Sequence, residues 1–134
     1  MSGYDYSYYV MLERWLMGFK GATVPTHIKV IAEELYSPDI LKLRNKVCPF
    51  CGRKFRKRCA LYVHLVRGLR YRKRKCHLAF SYMLDEIIGL AKKASHAVKC
   101  SKGSYIVVTG PSPYIRCETK DEAIRTWLRL EGVR

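Results

Sequence analysis

Two cysteines separated by two residues, Cys48 and Cys51 in the run CPFCG, narrow what the middle of this chain can become. A pair at that spacing in a tight turn presents two thiolates to one tetrahedral ion. Phe55 follows Cys51 after three residues, Leu61 follows Phe55 after five, and His64 follows Leu61 after two. Thiols and a histidine are metal-binding types, so residues 46–77 are expected to fold around metal. The N-terminus (MSGYDYSYYV) lacks the positive head and apolar stretch of a secretory signal. A reducing, cytoplasmic setting is therefore expected, in which thiols bind metal rather than pair.

Charge sharpens this reading. The chain carries 26 Lys and Arg against 11 Asp and Glu, a formal net charge of +15 over 134 residues. No acidic residue stands between Asp39 and Asp85, and more than half of the 26 cations fall in residues 41 to 75. Like charges so concentrated repel one another unless a polyanion neutralises them. Nucleic acid is the expected partner, DNA ahead of RNA, through Arg53, Lys54, Arg56, Lys57, Arg58, Arg67, Arg70, Arg72, Lys73, Arg74 and Lys75. No apolar stretch approaches the roughly 20 residues a bilayer requires, so no membrane role is expected.

Over residues 46 to 64 the spacing resembles the Cys2His2 zinc-finger family. That resemblance implies one structural Zn2+ held by Cys48, Cys51 and His64, a ββα finger with Phe55 and Leu61 as its small core, and base-reading positions at Lys57, Cys59, Ala60 and Val63. Three of these four are apolar, and none is the Arg, Asn or Gln that recognises a base bidentately. The second histidine of the family pattern is missing, since Gly68, Leu69 and Arg70 occupy its window. Cys76 and His77 are the next candidates for the fourth ligand. The chain also resembles divergent single fingers of archaeal and archaeal-virus proteins, in which a basic loop leads to a cysteine that opens another helix. This favours Cys76 and leaves His77 as the alternative. A nucleoid-associated location follows if the host is archaeal, a nuclear one if it is eukaryotic.

The rest of the chain predicts an α+β, mostly helical fold. Tyr8, Met11, Leu12, Trp15, Leu16 and Phe19 share a helical face within residues 5 to 19. A second helix starts near Pro25 with Ile28, Ile31, Ala32 and Leu35 inward. Ser37 and Pro38 restart a third, burying Ile40, Leu41 and Leu43. A long helix follows from about Cys76 to Val98, with Leu78, Phe80, Met83, Ile87, Leu90 and Ala91 as its packing stripe. Strands over Ser104 to Thr109 and Tyr114 to Cys117 flank a GPSP turn, and Thr119 with Glu122 forms a capping box for a last helix. The expected segments are 1–45 (helical), 46–77 (finger and basic loop), 78–99 (long helix) and 100–134 (ββα unit).

Cys59 is expected to be a small apolar residue of the finger helix, Cys100 and Cys117 core residues, and His27 a surface or interface residue. Tyr62 and Tyr71, set among the cations, suit either packing or stacking on unpaired bases. No HExxH, glycine-rich phosphate loop or carboxylate pair beside a histidine is present, so no enzyme is expected. Asp85 and Glu86 are adjacent and point to different sides of a helix. The alternatives are an RNA-binding or ribosome-associated zinc protein and a protein-interaction finger. A single finger spans about three base pairs, which makes a homodimer or a second contacting element useful.

Overall fold

The helical face read at the N-terminus forms α1, Tyr6–Met17, which buries Leu12, Leu16 and Met17. The computed structural model describes residues 6–66, 75–101, 103–108 and 115–132. Its fold is α+β and mostly helical, with α2 over Thr26–Arg44, α3 over Arg58–Val66, α4 over Lys75–Ala97 and α5 over Lys120–Leu130. Three short strands, β1 (Val98–Ser101), β2 (Ser104–Val107) and β3 (Ile115–Cys117), form an antiparallel sheet in the order β1-β2-β3.

Pro38 has no N–H to give the carbonyl four residues back, so α2 kinks. The break falls at Tyr36 (φ −129°, ψ 28°), one residue before the expected cap, Ser37. Beyond it Ile40 and Leu43 turn inward, but Leu41 is 65% exposed, contrary to expectation. One step of 100° separates it from Ile40, which carries it off the buried face. In α4 the stripe is Cys76, Phe80, Met83, Leu84, Ile87, Ile88 and Ala91. Leu78, expected there, is 42% exposed because it lies two residues from Phe80, on the opposite side of the helix.

Two compact units are present, one from Pro25–Leu35 with the chain beyond Ile87, the other from α1 and the chain to Val24 with Tyr36–Glu86. In the first, α5 packs Ala123, Ile124, Trp127 and Leu128 against the sheet face that carries Val107 and Cys117. Thr119 accepts from the Glu122 N–H at 3.2 Å, and the Glu122 carboxylate reaches back to the Glu118 N–H at 3.3 Å. The box forms, with its return bond one residue earlier than expected. Strand β1, unforeseen, pairs Val98 with Val107 and Cys100 with Tyr105.

In the second unit, α1 ends in a Schellman turn. Gly18 N–H bonds the Trp15 carbonyl at 3.1 Å and Phe19 N–H the Arg14 carbonyl at 3.0 Å, with Gly18 at φ +79°. The positive φ favours glycine at this position, and a Cβ there would also stand 3.2 Å from Cγ of Arg44, a tight approach. Arg44 stacks on Trp15 at 4.5 Å and donates to its carbonyl at 3.2 Å. Arg58, in the first turn of α3, donates to the Met17 carbonyl at 3.1 Å and the Arg44 carbonyl at 3.0 Å. Its guanidinium thus closes the C-termini of α1 and α2 together, where the helix dipoles favour a cation.

Replacing Arg58 with methionine keeps the stem and removes both bonds. The expected loss in urea unfolding is about 3 kcal/mol. Lysine should not restore it, since a point charge lacks the planar fork that reaches both carbonyls. A change below roughly 1 kcal/mol would contradict the clamp.

Candidate metal centre and its basic surroundings

The chain leaves α2 and turns back on itself through a short knuckle. Val47 and Lys54 form an isolated antiparallel bridge, Cys48 N–H donates to the Arg53 carbonyl at 2.9 Å, and Phe55 N–H to that of Lys46 at 2.8 Å. Gly52, at φ +79°, lets its N–H reach the Cys48 carbonyl at 2.8 Å. The hairpin expected for a finger is here this single bridge. It is enough to set the Cys48 and Cys51 thiols side by side.

Helix α3 brings the third donor. Leu61 and Leu65 anchor its buried face, and His64 lies beside Phe55 with ring centroids 5.1 Å apart. His64 Nε2 is 3.7 Å from Cys51 Sγ. Cys76, the second residue of α4 and 8% exposed, completes the group. The donor atoms of Cys48, Cys51, His64 and Cys76 all lie within 4.8 Å of one another, close enough to hold one metal ion. A tetrahedral ion bound to sulfur at about 2.3 Å needs donors about 3.8 Å apart, so a small contraction closes the site. Three thiols and an imidazole are four donors, the number a tetrahedral ion takes.

His77, the alternative ligand, turns elsewhere. Its Nδ1 is 2.8 Å from the Leu65 carbonyl, which can only accept, so the ring nitrogen carries the proton and caps the last turn of α3. Burial sets the chemistry of the thiols. It raises the pKa of Cys48 and pushes Cys76 up to about 12, while the Arg53 backbone N–H lowers that of Cys51. A cation must displace these protons, so its affinity falls as pH falls.

Around the centre Arg53, Lys54, Arg56 and Lys57 are exposed, with the Arg53 guanidinium 5.0 Å over the Phe55 ring. Lys75 is exposed at the start of α4. Arg58 differs from these, being half-buried and committed to its two carbonyls. Arg67, Arg70, Tyr71, Arg72, Lys73 and Arg74 lie outside the described residues. Lys57, Cys59, Ala60 and Val63 are all exposed. Tyr62 packs edge-on against Phe19 (5.8 Å, 87°) and donates to Glu13 at 3.3 Å. Burial raises the pKa of Glu13, a carboxylate only 9% exposed that periodicity alone would have placed outside.

The remaining candidates separate. None of the six cysteines is in a disulfide. Cys100 and Cys117 both sit opposite Tyr105 in the sheet, but only Cys117 is buried, so Cys100 departs from the expected core role. Asp85 and Glu86 are exposed on α4, and Glu86 accepts from the Tyr36 hydroxyl. No helix of the described residues is long and apolar enough to cross a membrane. Comparison with protein-family models, with curated proteins and with solved structures gave no match.

His27 is half-buried in a cavity of about 100 Å3 with Ala94, Val98, Lys120 and Ile124. Burial, aided by the Lys120 charge, lowers its pKa to about 4. The unfolded chain then binds the proton that the folded chain refuses, so stability contributed here is present above pH 6.5 and lost as pH falls toward 4. An NMR titration of the His27 ring should show a midpoint near pH 4, and one near 6.5 would refute the burial effect.

Proposed function

We propose that this chain is a zinc-organised nucleic-acid-binding protein, most simply a DNA-binding regulator or chromatin-type factor. The observation that carries the reading is the coincidence of a closed Cys3His donor group with exposed cations inside an acid-free stretch. Thiolate and imidazole donors in tetrahedral array suit zinc. Bound there, zinc would neutralise the thiolates and tie the knuckle, α3 and the start of α4 into a finger whose fourth ligand is Cys76. When present, the ion supplies structure and no reaction.

Arg53, Lys54, Arg56 and Lys57 project from the knuckle and the approach to α3, where they suit phosphate oxygens. Arg58 is left out of the contact set because its guanidinium holds the helix ends. The second reading, structured RNA, is favoured by one observation. The exposed positions Cys59, Ala60 and Val63 offer no bidentate base contact, a handicap for sequence-specific duplex reading and none for recognition by shape.

Competition between a duplex DNA and a structured RNA of equal length, at matched salt, distinguishes the two. DNA is expected to displace RNA. Charge reversal of Arg53, Lys54, Arg56 and Lys57 together should weaken binding at least a hundredfold with zinc content unchanged. Undiminished affinity in that variant would defeat the proposal.

A further inference from the structure

A groove of about 340 Å3 lies where the chain leaving α1 meets α3, lined in part by Arg14, Phe19, Lys20, Cys59 and Tyr62. Its size falls in the range of roughly 300–1,000 Å3 typical of small-ligand sites. Two aromatic rings set at 87° to each other, Phe19 and Tyr62, form its apolar corner. The Tyr62 ring is held in place by its hydroxyl bond to the buried Glu13 carboxylate at 3.3 Å. Arg14 and Lys20 are exposed at the same groove, and among the described residues no carboxylate lines it. A planar aromatic body with an anionic group attached is the chemistry that complements such a lining.

The position of the groove narrows the occupant. Cys59 is both a lining residue and an exposed residue of α3, adjacent to Ala60 and two positions from Lys57. A phosphate held by Lys57 would therefore lie within two residues of the groove's lining. We propose that the groove receives one unpaired nucleotide of the bound nucleic acid, its base against Phe19 and Tyr62 and its phosphate between Arg14 and Lys20. This rests on the nucleic-acid reading above and adds to it a preference for bulged or otherwise unpaired sites. It also gives an otherwise weakly discriminating finger a structural feature to select.

The test uses the full-length, zinc-loaded chain with a duplex and the same duplex carrying one extra unpaired adenine. The bulged form should bind about tenfold tighter, as one stacked base implies. Lys20→Glu, at an exposed position, and Tyr62→Leu should each bring the ratio to about one without loss of zinc. In a second arm the bulged adenine carries a tethered disulfide. The Cys59 thiolate should attack it, forming a protein–nucleotide disulfide and releasing the small thiol, and Cys59→Ser should abolish the adduct. Equal affinity for both substrates, with salt-sensitive duplex binding intact, would overturn the groove and leave the nucleic-acid reading standing. A bulge preference that survives Lys20→Glu with no Cys59 adduct would also overturn it. Failure to bind either substrate would remove both.

Discussion

Cys76→Ser is expected to yield protein that loses its zinc on dialysis and melts far below the parent, while His77→Ala keeps one zinc per chain. Cys76 brings its sulfur within 4.8 Å of the other three donors. The His77 ring is instead turned to the Leu65 carbonyl, so its removal costs about one hydrogen bond, roughly 1 kcal/mol. Structural zinc in finger peptides contributes about 10–16 kcal/mol, comparable with the entire stability of a small domain at about 5–15 kcal/mol. Losing a ligand therefore threatens the unit built from α1, α3 and the knuckle. A strong chelator should act on the parent protein as Cys76→Ser does. Zinc assays and circular dichroism melts check both. Equal zinc content in the two variants would refute the assignment, and chelator-insensitive melting would remove the metal from the argument altogether.

Affinity for duplex DNA should fall on the order of a thousandfold between 50 and 200 mM salt if about six phosphates are neutralised. Four exposed cations stand on the knuckle and its approach to α3, and Lys75 is exposed at the head of α4. Each contact releases a condensed counterion, so a logarithmic plot of affinity against salt should have a slope near −5. Fluorescence anisotropy across that range measures it. Removing Arg53 and Lys54 should make the slope shallower by about two, whereas Arg58→Met should leave it unchanged, because that guanidinium already faces carbonyls. A flat plot would exclude phosphate contacts as the source of binding.

The elements read most directly from sequence are those with local causes. Helix α5 formed with Ala123, Ile124, Trp127 and Leu128 inward, because a capping signal and a 3.6-residue period lie within eleven residues. The knuckle pair and His64 followed from their spacing together with the family pattern it resembles. Strand β1 did not, since Val98–Ser101 continues without a break from a helix of 23 residues. It is a strand because β2 returns to pair with it, and pairing is not a property of either segment by itself. Leu41 and Leu78 were misplaced for a related reason. Hydrophobicity says that a residue can be buried, and the direction of its helix face decides whether it is.

Residues 76 and 77 show the limit most clearly. Both lie one turn before Phe80 on the inward side of α4, so periodicity and ligand type left both open. The sequence alone determined that three thiols and an imidazole were available, and that a dense cationic stretch surrounded them. Only tertiary structure decided which of two neighbours faces the other donors, and that Arg58 closes two helices instead of remaining free for a phosphate. The physical reason is the same in each case. Donor atoms and helix-end carbonyls acquire directions in space only when segments distant along the chain have packed together.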